Sequence, residues 1–178
     1  AIGRREDQII IDALIAGSAG TTVANTVVTS GSASASDLNV GQIIEAKKGM
    51  DANSVPPTDR HMIIHANSLA SLLADERAIS SDFASIQALV RGEINSFMGF
   101  QIHMIGDRDE GGLPKDGSND RTCLAFHRDA IGCAVGIPPK TEVNYIPEKT
   151  SFLVTAMYSA GAIVIDANGL VDVTCRES

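Results

Sequence analysis

The sequence predicts an α+β fold, and three observations lead there. Stretches with apolar residues at helical spacing interleave with stretches of strand character, but without regular βαβ units. The segment 60–66, "RHMIIHA", is fenced by the breaker "DANSVPPTD" before it and a capped helix after it. The closing stretch, "SFLVTAMYSAGAIVIDANGLVDVTC", reads as two or three strands in succession. The chain has 178 residues and 44% apolar content, enough for a packed core, and shows no internal repeat.

In chain order, "GRREDQIIIDALIAG" carries Ile10, Ile11, Leu14 and Ile15 at helical spacing, with Gly17 as a stop. It lacks a capping signal before Gly3, so it reads as the end of a longer helix. Residues 17–36 are rich in Gly, Ser, Thr and Ala. Their alternation fits a short hairpin or extended arm, and their composition fits a flexible linker.

Ser36 is an expected N-cap for "DLNVGQIIEAKKGM", with Val40, Ile43, Ile44 and Ala46 facing inward and Lys47 and Lys48 in the last turn. Pro56 and Pro57 end that helix region. "RHMIIHA" follows as a strand, then a helix capped by Asn67 or Ser68, with Leu69, Leu72 and Leu73 inward. Another helix is expected from Ser81, on Phe83, Ile86, Leu89 and Val90.

"MGFQIHMIG" reads as a strand entered through Gly99. "DRDEGGLPKDGSND" is a polar loop, "TCLAFH" a strand, and "RDAIGCAVG" a short helix capped by Asp129 and broken by "IPP". "KTEVNYIP" is a strand, and 151–165 reads as buried strands. The Asn168-Gly169 pair predicts a tight hairpin turn.

Composition narrows the function. A net charge of −8 argues against a dedicated nucleic-acid binder, which carries a basic face. The run 151–165 is shorter than the ~20 residues of a membrane helix. The first residues lack the pattern of a signal peptide, and the chain lacks an initiator Met, as expected of a processed or partial sequence. The three cysteines, Cys123, Cys133 and Cys175, form no CxxC pair and read as small buried hydrophobes in a reducing compartment.

Candidate chemistry is thin. His61 and His65 stand four apart, which on a helix could hold zinc. On a strand they lie roughly 13 Å apart, too far to share one ion. Met62 occupies the place of the glutamate that H-E-x-x-H zinc proteases need. Asp107, Asp109 and Gly112 begin like a calcium loop, but position twelve is Ser118 rather than a bidentate Glu. His103 and His127 read as structural histidines on strands. No phosphate-binding loop or nucleophile elbow appears. The residues therefore predict a structural protein or binding module, not an enzyme, with no cofactor, catalytic residue or metal site.

Several stretches carry a family resemblance. "RGEINSFMGFQIHMI" followed by "GLP", "CLAFHRDAIGCAVG", "TEVNYIPEKTSFLVTAMYSAGAIVIDANGLVDV" and "GRREDQIIIDAL" occur in the order of segments found in the major capsid proteins of tailed bacteriophages. The chain resembles that family, whose fold is shared with encapsulin shell proteins. The resemblance implies a peripheral domain of residues 1–58 and 138–178, holding the end of the spine helix and the closing strands. It implies an axial domain of residues 59–137, entered through "RHMIIHA". The family's N-terminal arm and extended loop have no counterpart here, so the chain is expected to be a truncated core.

The implied function is structural. Copies would assemble as hexamers and pentamers into an icosahedral shell around phage DNA, in the virion capsid, after assembly in the host bacterial cytoplasm. DNA would be met only by non-specific proximity, other capsid or decoration proteins could be partners, and no membrane is involved. An encapsulin-like nanocompartment shell and a metal-dependent hydrolase using His61, His65, His103 or the Asp107–Asp120 loop are the alternatives.

Overall fold

The computed structural model describes residues 2–17, 21–28, 34–74 and 96–177. The helix expected from Ser81 lies outside the described residues. Helix α1 spans Ile2–Ala16, and buries Gln8, Ile11 and Leu14. The expected apolar stripe holds, with Ile10 and Ile15 packed on the rim of the core.

A mixed six-stranded sheet organises the core, in the order β1-β8-β5-β2-β4-β3. Its strands are β1 (Thr21–Val23), β2 (Arg60–His65), β3 (Ser96–Phe97), β4 (Phe100–Ile105), β5 (Asp120–His127) and β8 (Leu170–Arg176). β2 runs parallel to β4 and antiparallel to β5, and β5 runs antiparallel to β8. The 17–36 stretch contributes β1, which pairs parallel with β8.

Register sets which residues share a face. Met62, Ala125 and Val171 lie side by side, and His61, Phe126 and Leu170 form a neighbouring row. Side chains alternate along each strand, so the two rows face opposite sides. β2 is buried on both, with Met62, Ile64 and His65 almost wholly covered, as a central strand requires. Helices α2 (Val40–Ala52) and α3 (Ala66–Ala74) pack against the sheet, α2 on β1 and β8, α3 on β2 and β4.

The cap of α2 differs from expectation. Asn39, not Ser36, is the N-cap: its side chain accepts from the Gln42 amide at 3.1 Å, and the Gln42 side chain accepts from the Asn39 amide. Gln42 three residues on completes a capping box, which Ser36 cannot form with Asn39 at that place. The Ser36 hydroxyl instead donates to the Asn25 carbonyl at 2.7 Å. The helix also runs on to Ala52, so Lys47 and Lys48 precede its last turn, and Ile44 is exposed. α3 likewise starts at Ala66, with the His65 Nδ1 accepting from the Asn67 amide at 3.2 Å.

A buried arginine stabilises the proline break. Arg60 is 2% exposed, donates to the carbonyls of Pro56 and Val55, and pairs with Asp51 at 2.7 Å. The β3–β4 hairpin turns through Met98 and Gly99, both at positive φ, the conformation of a type I′ turn. Gly99 accepts that geometry freely; Met98 at φ 51 is held there by the register on either side.

Two corrections concern the last third of the chain. Residues 131–136 are not helical. Only Arg128–Ala130 forms a 3-10 turn, capped by His127 rather than Asp129: its Nδ1 accepts from the Asp129 amide. From there β6 (Ile131–Ile146) runs as one long strand paired with β7 (Ser151–Val164). Pro138 and Pro139 are tolerated because, among the described residues, this sheet has two strands, so each has an open edge there, and because register shifts flank Ile137. Nor does Asn168-Gly169 make a hairpin. Ala167–Gly169 is a 3-10 turn between β7 and β8, which belong to different sheets.

The junction of the two sheets is specific. The Ala130 carbonyl accepts from the amides of both Ile165 and Asp166. A side chain at Gly169 would come within 2.7 Å of the Ala130 Cβ, so the close approach needs glycine. β1, α2 and β8, expected in the 1–58 and 138–178 unit, thus pair with or pack on the strands of the 59–137 unit. α1 packs instead on β6 and β7.

Asn39→Ala should lower stability by about 1 kcal/mol, the usual cost of losing an N-cap, while Ser36→Ala should cost less. Urea midpoints of the two variants, read by circular dichroism, check the assignment of the cap.

Candidate functional site

β6 and β7 form a hairpin about 45 Å long at the usual rise per residue. Its half nearest the sheet is covered by α1. Tyr158, Ala160 and Ala162 share the β7 face beside Glu6, Ile9 and Ile10 of the helix, and the two small alanines leave room for it. The far half is uncovered. Val143 pairs with Val154, and Tyr145 with Phe152, so the four share one face. They are 61%, 64%, 53% and 72% exposed, and the Tyr145 and Phe152 rings stand 5.4 Å apart. The stretch 151–165 is strand as expected, but it is not buried within the chain.

An ionic cluster gathers where the sheet's strands end. Glu177 and Arg121 are both nearly buried, and Arg121 donates to Glu177 and to the Leu113 carbonyl. Lys115 Nζ reaches Glu177 at 2.9 Å, and Asp107 reaches Arg121 at 3.0 Å. His65 Nδ1 lies 3.0 Å from Glu177. Burial alone would raise the Glu177 carboxyl, but hydrogen bonds from Arg121 and Lys115 outweigh it and hold it below its usual value. The acidic loop thus serves as a clasp. Its glycines are held by Gln8, whose side-chain oxygen accepts from the Gly112 amide at 2.7 Å. Asp116 accepts from the amides of Ser118 and Asp120, a local turn. Among the described residues, no group of three or more His, Cys, Asp or Glu is arranged to hold a metal ion.

The two histidines four apart go separate ways. His65 joins the ionic cluster. His61 meets His103 of β4, its Nδ1 3.1 Å from the His103 Nε2, with Phe126 against its ring. Sequence reasoning missed this pair, because it depends on the parallel register of β2 and β4. Burial first, then the neighbouring His103, holds the His61 imidazole below its usual value of 6.5. The cysteines also divide. Cys123 and Cys175 are buried and free, with sulfurs 3.7 Å apart, whereas Cys133 is exposed, contrary to expectation. The hydrogen bond with Cys175, then burial, pushes the Cys123 thiol up, so it stays protonated.

Glu177→Gln should destabilise the chain by about 2 kcal/mol at pH 7, because Arg121 and Lys115 lose their shared partner. The folded carboxyl titrates below the unfolded one. The contribution of Glu177 is therefore present above pH 4.5 and lost as pH falls through the lower folded value. Denaturant unfolding at pH 7 and pH 3 should show the variant's deficit shrinking in acid. His61 adds a decline in the same direction: stability falls as pH drops below 6.5, since the unfolded imidazole takes up its proton first.

Comparison with known proteins gives consistent results. The family model described as phage capsid protein matches residues 1–177. Among solved structures, the chain is similar to one from Mycobacterium phage Che8, 20% identical with a TM-score of 0.66, over 92% of this chain and 56% of that one. It is similar to the capsid of cyanophage P-SCSP1u, 17% identical with a TM-score of 0.70, over 97% of this chain and 62% of that one. The capsid of Ralstonia phage GP4 matches at 13% identity and a TM-score of 0.58, over 90% and 53%. The chain spans 56% and 62% of the length of the first two. No curated protein matches it in sequence. With the fold shared across these capsids and the family model matched from end to end, the chain belongs to the phage capsid protein family.

Proposed function

We propose that this chain is the core of a shell subunit that assembles with copies of itself, as hexamers and pentamers, into the icosahedral capsid around phage DNA. The observation that carries the reading is the uncovered apolar face of Val143, Tyr145, Phe152 and Val154 on a hairpin with open edges. Soluble chains seldom leave such a surface bare, and a long strand with a free edge invites pairing. At the observed exposures, covering each of these side chains would contribute about 1–2 kcal/mol before the costs of association. Repeated copies meeting through one such surface suit closed symmetric assembly.

α1 with the hairpin would form the peripheral part of the subunit, and the six-stranded sheet with α2 and α3 the axial part. That division moves β1, α2 and β8 out of the 1–58 and 138–178 unit, a move supported by their pairing and packing on the sheet. The net charge of −8 fits a container that repels phosphate and lets packaged DNA slide rather than bind.

Electron microscopy of the parent protein should show closed shells. The double substitution Phe152→Asp and Val154→Asp should leave a folded chain by circular dichroism but abolish or sharply reduce shells, because both residues are exposed in the lone chain. Shells of unchanged yield and size in that variant would remove the hairpin face from the assembly contacts.

A further inference from the structure

We propose that His61 and His103 form a two-imidazole site for a divalent first-row transition ion, with Zn2+ as the probe. The proposal is independent of shell assembly, since both ligands come from adjacent strands of one chain. His61 pairs in register with Gln101, and His103 with Ile63, so the two rings sit diagonally on one face of the β2–β4 ladder.

Their facing nitrogens are 3.1 Å apart. Two zinc–nitrogen bonds of about 2.0–2.1 Å place their nitrogens about 2.9 Å apart at a right angle and about 3.3 Å apart at the tetrahedral angle. The observed spacing falls between those limits. With each neutral ring carrying its proton on the outward nitrogen, His61 Nε2 and His103 Nδ1, both facing lone pairs are free for an ion beside the pair. His61 is positioned by Phe126, 5.5 Å between ring centroids, while the exposed His103 can turn by the small amount that coordination asks.

Room for water is present. A cavity of about 470 Å³ opens at the pair. Among the described residues no third His, Cys, Asp or Glu is placed to join the two rings, so water would complete the coordination. The chemistry is structural, an ion tying β2 to β4, with no reaction attached.

Isothermal titration of the full chain with ZnCl2 at pH 7 should show uptake of about one ion per chain. His103→Ala and His103→Gln should each weaken that binding by about tenfold or more, with unchanged far-ultraviolet circular dichroism. Cu2+ bound to the unaltered chain should give electron paramagnetic resonance coupling from two nitrogens. Absence of zinc uptake, or equal affinity in both His103 variants, would overturn the site and leave the pair as two rings sharing a proton.

Discussion

Residues 120–126 and 170–176 pair antiparallel along their whole length, from Asp120 with Arg176 to Phe126 with Leu170. Most other elements take their position from this ladder. β8 offers its outer edge to β1, and the Thr174 carbonyl accepts from Gln42 of α2. β5 offers its other edge to β2, which carries β4 and β3 beyond it. The ladder also delivers Glu177 to Arg121 and brings Cys175 beside Cys123 and Ser68. Such a pairing joins residues some 50 positions apart, so its loop-closure cost is met only by the core that it completes.

The hairpin of β6 and β7 obeys a different constraint. It leaves the sheet at Ala130 and returns at Gly169, where the Ala130 Cβ stands too close for any larger residue at 169. Beyond that junction, among the described residues, α1 supports it. A two-stranded sheet has no second layer of its own, and its apolar residues face solvent until another surface covers them. The same feature explains why prolines sit inside β6: an open edge does not need every amide.

Local elements were largely legible in the sequence. The spacing of Ile11 and Leu14, the breaker at Pro56 and Pro57, and the strands at 60–65, 100–105 and 120–127 could be read because propensity and burial point the same way there. Misreadings arose where a tertiary contact overrode a local signal. His127 displaced Asp129 as a cap, and Asn39 displaced Ser36, because backbone path decides which side chain reaches the free amides. Asn168-Gly169 has the composition of a hairpin turn, but its flanking strands separate into different sheets.

The histidines show the same division. Their spacing along the chain suggested a shared role for His61 and His65, whereas parallel pairing of β2 with β4 put His61 against His103 and turned His65 toward Glu177. Neither partner is readable from "RHMIIH", since strand register is a long-range property. Arg60 is similar: nothing local marks it as a buried clasp on the proline loop. By itself the sequence determined the α+β class, the helical stripe, the sheet-forming segments and a resemblance to capsid proteins, because these rest on periodicity and on the order of segments. Only the tertiary structure decided which strands pair, which charges are buried together and which apolar face stays open, because those depend on residues brought together by the closing of the sheet.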